Sequence, residues 1–158
     1  MSITIRPAVA GDGPILIDMV RALAVHHGFE ESFFATPADY ERFLADSHAL
    51  NGALIAEWNG EPAGCATWQR AYQTFLGRET LYLEDISVLP EFRRRGIATA
   101  LLKAVARLAL ERRAAAVGWL MMGWNRDARR LYEKLGATIY DDNCFCKLSG
   151  EALERLAS

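Results

Sequence analysis

The chain has 158 residues, 51% of them hydrophobic, and a net charge of −2. A chain of this length buries roughly 70% of its unfolded surface around one core, so a single domain over residues 1–158 is expected. The lack of basic character argues against a nucleic-acid partner, no apolar run approaches the ~20 residues of a membrane span, and MSITIRPAVAG lacks a signal-peptide pattern, so a cytoplasmic protein without a membrane partner is expected.

SITIRP alternates as a short strand that stops at Pro7. PILIDMVRALAVHH, from Pro14, carries Ile15, Met19, Val20 and Leu23 at helical spacing. A second helix starts at Thr36, where Thr36 as N-cap, Pro37 in the first turn and Asp39 three residues on form a capping-box-like start. Tyr40, Phe43 and Leu44 supply its apolar face. ALIAEWNGEPAGCATW holds Asn59-Gly60 between two apolar runs, a type I′ hairpin signal, and TLYLEDISVL makes a further strand from about Thr80 to Leu89. A helix is expected from Gly96 to about Arg112, then a buried strand at AAVGWLMM. NRDARRLYEKLG follows as a helix capped by Asn125 and ended by Gly136, with Ala128, Leu131 and Leu135 as its buried stripe. Two last strands, TIYD and NCFCKL, would complete a mixed α/β sheet with at least one parallel crossover. Cys65, Cys144 and Cys146 are odd in number and form no CxxC pair; Cys144 and Cys146 would share one strand face as buried thiols, with no metal role.

The junction at Gly96 is the most informative local feature. The first four amides of a helix lack intrahelical acceptors and its dipole leaves about half a positive charge there, which suits an anion. Gly96 and the small Ala98 permit close approach to the backbone, and Arg93, Arg94 and Arg95 add charge at the same point. A phosphate or pyrophosphate is the natural guest. No GxGxxG or Walker A loop is present, so an ordinary dinucleotide or ATP site is not expected.

VLPEFRRRGIATALLK resembles the acetyl-CoA loop of the GNAT N-acetyltransferases, with Arg93, Gly96 and Ala98 at the characteristic positions. The resemblance extends through IRPA, LYLED and WNRDARRLYEKLGA in order, and is strongest to the diamine (spermidine/spermine) acetyltransferase-like branch. It implies a mixed sheet of about six or seven strands flanked by about four helices. It further implies that the backbone of Arg94, Arg95, Gly96, Ile97, Ala98 and Thr99 holds the pyrophosphate of coenzyme A, while the strand through Ile86 and Val88 pairs with the pantetheine arm. By the same resemblance Asn125 contacts the cofactor, Tyr132 stands near its sulfur as the acid, and the protein is a homodimer.

Acetyl transfer to an amine needs a proton acceptor, because a primary amine of pKa about 10.4 is only about 0.04% neutral at pH 7. Glu84 is the candidate base: strand alternation would place it on one face with Ile86 and Val88, and partial burial would raise its pKa. Asp85 would face the other way and could attract a cation. Glu30 and Glu31 match the acidic pair that follows the first helix in diamine acetyltransferases, which would make them substrate-binding together with Glu84 and Asp85. His26 and His27 are adjacent rather than four apart, so they form no helical metal pair and read as surface or groove residues. The expectation is an enzyme acetylating a small diamine, polyamine or lysine-like amino acid from acetyl-CoA by direct transfer, without a metal. A protein or peptide amine as acceptor, or a non-catalytic acyl-CoA-binding module, is the alternative.

Overall fold

In the computed structural model, which describes residues 1–45 and 50–158, internal contacts divide the chain into residues 1–122 and residues 123–158. The first unit runs β1 (Ile3–Pro7), α1 (Gly13–His27), a 3-10 turn (Glu30–Ser32), α2 (Pro37–Leu44), β2 (Asn51–Trp58), β3 (Glu61–Gln73), β4 (Arg78–Val88), a second 3-10 turn (Pro90–Phe92), α3 (Ile97–Glu111) and β5 (Val117–Gly118). The second contains α4 (Arg126–Lys134) and α5 (Glu151–Ala157). The sheet order is β1-β2-β3-β4-β5, antiparallel through β4 and parallel from β4 to β5 across the α3 connection. The β2–β3 turn has positive φ at both Asn59 (51°) and Gly60 (86°), as the Asn-Gly pair requires.

One face of the sheet packs on α3 through Ala66, Leu83, Phe92, Ile97, Leu101 and Val105. The other packs on α1 and α2 through Leu16, Met19, Ile55 and Cys65, with Tyr40 and Phe43 against them. Burying each leucine contributes about 2 kcal/mol, so both layers hold the central strands firmly. Polar ties reinforce the α1 side. The Thr36–Asp39 capping box forms at both ends, Asp39 N to Thr36 Oγ1 at 3.3 Å and Thr36 N to Asp39 Oδ2 at 2.7 Å. Glu41 of α2 accepts from the amides of Gly11 and Gly13 at 3.0 and 2.8 Å, so one helix satisfies the start of the other. A β-carbon at Gly13 would come within 2.5 Å of Glu41 Oε1, which explains a glycine there.

The end of the chain departs from the sequence-based expectation. Among the described residues there are five strands, not six or seven, and five α-helices. AAVGWLMM contributes only Val117–Gly118, while TIYD and NCFCKL join no strand. Tyr140 and Phe145 are each 72% exposed, and Cys144 and Cys146 are exposed rather than buried. Alternation prepares a segment for a sheet, but the ladder also needs a partner edge, and these segments have none among the described residues. Cys65 is buried, as expected.

A second correction concerns β4. Thr67 pairs with Asp85 and Trp68 with Leu83, so Glu84 is the extra residue of a bulge. The bulge resets the alternation. Leu83, Ile86 and Val88 all pack on the α3 side, whereas Ser87 points to α1, where its hydroxyl donates to the Met19 carbonyl at 2.7 Å. Glu84 therefore does not share a face with Ile86 and Val88, and Asp85 does not face away from Glu84.

Candidate functional site

Two features of the first unit meet along β4. The first is the junction into α3. Gly96 sits at φ 84°, ψ 2° as N-cap, and Arg94 also has positive φ, 60°. The first helical backbone bond runs from Ala100 N to Gly96 O at 3.0 Å, which leaves the amides of Ile97, Ala98 and Thr99 ahead of it without helical acceptors. No side chain caps this end. The space above Gly96 is open: a β-carbon there would meet no atom within 4 Å. These amides and the helix dipole suit the phosphates of a nucleotide-bearing coenzyme.

The three arginines play different parts. Arg93 Nε donates to the Val88 carbonyl at 3.2 Å, bracing the loop against the end of β4. Arg95 donates to the Glu91 carbonyl at 3.0 Å and stacks over Trp58 and Phe92, with centroid distances of 5.0 and 5.6 Å. Its charge is thus partly engaged in packing. Arg94 is exposed beside the open amides. Alongside the loop, β5 pairs with β4 only at Leu81–Val117 and Tyr82–Gly118. From Leu83 to Val88, the stretch holding Ile86 and Val88, no strand covers that edge among the described residues, so its backbone groups can take an extended ligand arm.

The second feature is an open hollow of about 250 Å³ lined by Tyr40, Phe43, Thr67, Trp68, Gln69, Glu84 and Asp85. The bulge delivers both carboxylates into it. Glu84 is exposed at the rim, where Oε2 accepts from Gln69 Nε2 at 3.2 Å. Asp85 lies deeper, and Thr67 Oγ1 both donates to its Oδ2 at 3.0 Å and accepts from its backbone amide at 3.2 Å. Burial raises the Glu84 pKa and the Asp85 charge raises it further. Burial also raises Asp85, while the Thr67 hydroxyl and His27 hold it down. A paired, partly desolvated carboxylate set is suited to accepting a proton from, or binding, an ammonium group.

Tyr40, with its hydroxyl pushed up by burial and by the Asp85 charge, forms an apolar wall with Phe43. The apolar spacing of the sequence gives both to the packing face of α2 and does not single out Thr67, Trp68 or Gln69. A threonine among the small apolar residues of AGCATW was the available signal. Glu30 and Glu31 sit on the exposed 3-10 turn and are not part of the hollow's lining.

In the second unit, Asn125 caps α4 as expected, its Oδ1 accepting from Ala128 N at 3.1 Å. Tyr132 is the buried residue of α4, while Leu135 is 43% exposed, so the buried stripe is centred on the tyrosine rather than beside it. Burial raises the Tyr132 pKa and keeps its hydroxyl protonated at neutral pH. Among the described residues no cluster of His, Cys, Asp and Glu could hold a metal ion, and no helix is long and apolar enough to cross a membrane.

Residues 17–137 match the acetyltransferase (GNAT) family. The chain is 31% identical over 98% of its length to the thialysine N-epsilon-acetyltransferase of Bos taurus, covering 97% of that protein. It is 33% identical over 75% of its length to the L-ornithine N5-acetyltransferase NATA1 of Arabidopsis thaliana, but spans only 48% of that protein. In structure it superposes on an integron cassette protein from the mobile metagenome of V. cholerae with a TM-score of 0.80, at 20% identity over 99% of this chain and 98% of the other, a likeness of fold.

Proposed function

The chain belongs to the acetyltransferase (GNAT) family, and on that premise we propose that it transfers acetyl from acetyl-CoA to the primary amine of a small diamine, polyamine or lysine-like amino acid. The observation that carries the acceptor class is the pair of carboxylates, Glu84 and Asp85, that the β4 bulge turns into one open hollow. Opposite charges attract most strongly in such a partly dry cleft, which favours an acceptor with a second cationic centre. The similarity to enzymes named for thialysine and L-ornithine, both small amines, supports the same class.

Each turnover converts an ammonium and a thioester into an amide, a thiol and one free proton. Glu84, at the rim and with a raised pKa, is the proposed proton acceptor, directly or through water, and Asp85 is the proposed anchor for the acceptor's charge. The α3 amides from Ile97 to Thr99, with Gly96, Arg93, Arg94 and Arg95 around them, are proposed to hold the coenzyme's phosphates, and the uncovered edge at Ile86 and Val88 its extended arm. Bound there, acetyl-CoA supplies the activated acetyl group. Tyr132, whose LYEKLGA segment resembles the family's, is proposed as the acid that protonates the departing sulfur, and Asn125 as a cofactor contact. Direct transfer is proposed; an acyl-enzyme route through Cys65 is disfavoured because burial and the Asp85 charge push that thiol far above its ordinary pKa.

The test is initial-rate acetyl transfer across putrescine, spermidine, thialysine, ornithine, lysine and a peptide, with coenzyme binding measured in parallel. Turnover of a free diamine or amino acid supports the proposal. Tight coenzyme binding with no turnover of any free amine would overturn it in favour of a protein acceptor or a binding module.

A further inference from the structure

The two carboxylates of the hollow are held unequally, each by a residue of β3. At the rim, the exposed Gln69 donates from Nε2 to Oε2 of the exposed Glu84 at 3.2 Å. Deeper in, Thr67 is buried and bonds Asp85 twice through one hydroxyl. Both pairs line the same hollow, so the difference bears on what each acid can do there.

The two bonds fix more than a distance. The Thr67 oxygen accepts from the Asp85 amide at 3.2 Å, so its proton is directed away from that amide and onto Asp85 Oδ2 at 3.0 Å. Thr67 and Asp85 also stand opposite each other in the β3–β4 ladder, at the register shift that leaves Glu84 unpaired. Branching at the β-carbon restricts the Thr67 χ1 angle, which holds the hydroxyl where both bonds form. The Asp85 carboxylate is thus set before any ligand arrives, whereas Glu84 at the exposed rim is left freer. We propose that Thr67 is a positioning residue for the acceptor's second cation: it holds the Asp85 carboxylate in the orientation in which that cation binds, and so sets the preference for a dicationic over a monocationic acceptor.

A carboxylate free to turn would have to be ordered when the ligand binds, at a cost of about three- to tenfold in affinity. The Thr67 hydroxyl removes that cost in advance. It also favours the charged form of the anchor: burial raises the Asp85 pKa, and the Thr67 bond opposes the rise. This inference rests on reading the hollow as the acceptor site, and its test separates the two.

KM is measured at saturating acetyl-CoA for putrescine and for butylamine, which keeps the reacting amine and the carbon chain but lacks the second cation. The native enzyme is compared with Thr67→Val, which replaces the hydroxyl by a methyl group of similar size, and Thr67→Ser, which keeps the hydroxyl. In Thr67→Val the KM for putrescine should rise about three- to tenfold more than the KM for butylamine, and Thr67→Ser should restore the ratio. Loosened strands would raise both constants together, so an unchanged ratio in Thr67→Val, or one that Thr67→Ser fails to restore, overturns the proposal. In an Asp85→Asn background Thr67→Val should leave the ratio where Asp85→Asn alone puts it; a further fall would overturn the route through Asp85. Should Thr67→Val not fold, Thr67→Ala carries the same comparison. A second readout needs no turnover: calorimetric binding of putrescine to the coenzyme A complex should weaken in Thr67→Val and not in Thr67→Ser, and equal affinities overturn the inference. If that binding depends on Thr67 but no amine is acetylated, the proposed enzymatic function fails while the role of Thr67 stands. Diamine acetylation with a ratio indifferent to Thr67→Val gives the reverse.

Discussion

Replacing Glu84 by glutamine removes the proposed base while leaving its surroundings almost unchanged. Glu84 is exposed, and its side-chain oxygen accepts a hydrogen bond from Gln69 Nε2 at 3.2 Å, which a glutamine oxygen can still accept. Stability should therefore move by no more than about 0.5 kcal/mol. The rate should not be spared. At pH 7 an ordinary primary amine costs about 4.6 kcal/mol to deprotonate, and a positioned general base contributes about 10²- to 10⁴-fold, or about 3–5 kcal/mol. The expected fall in kcat at pH 7 lies in that range. Because the variant must wait for amine already neutral in solution, the deficit should shrink by about tenfold per pH unit toward the amine's own pKa. Thiol release from acetyl-CoA, followed across pH for both proteins, measures the ratio. A variant within about threefold of the native rate, with the same pH profile, would refute Glu84 as the base.

Gly96→Glu places an L-residue at φ 84°, costing about 1–2 kcal/mol, and adds a carboxylate at the open amides. Coenzyme affinity by calorimetry should fall at least about tenfold, and unchanged affinity would sink the phosphate cradle. Tyr132→Phe should lower kcat while leaving coenzyme affinity near the native value; full activity would remove Tyr132 as the acid. Asp85→Asn should raise the melting temperature at alkaline pH, with each kcal/mol recovered showing as about 2–4 °C. The sign follows from the raised Asp85 pKa: between its ordinary and folded values the native state keeps a proton that the unfolded chain has lost, so stability falls as pH rises through that window. The gain should vanish below the ordinary aspartate pKa, and a variant less stable at pH 8 would contradict the assignment of burial as the dominant cause.

The amino-acid sequence by itself determined what depends on neighbours along the chain. Thr36 and Asp39 close a capping box, Asn59-Gly60 turns a hairpin and Gly96 opens α3, because each rests on backbone dihedrals and hydrogen bonds spanning only a few residues. The anion-binding character of that helix start was legible for the same reason. The carboxylate site was legible only in its residue types. Strict alternation in LYLEDISV puts Glu84 with Ile86 and Val88 and sends Asp85 away; the pairing of Thr67 with Asp85 and Trp68 with Leu83 reverses that by absorbing one residue. A bulge is a mismatch between two strands, so neither strand announces it alone. The walls of the hollow from α2 and β3 likewise arise from elements far apart in the chain. The unpaired TIYD and NCFCKL segments make the same point from the other side: alternation fixes which side chains a strand would present, but only a partner edge at hydrogen-bonding distance makes it a strand.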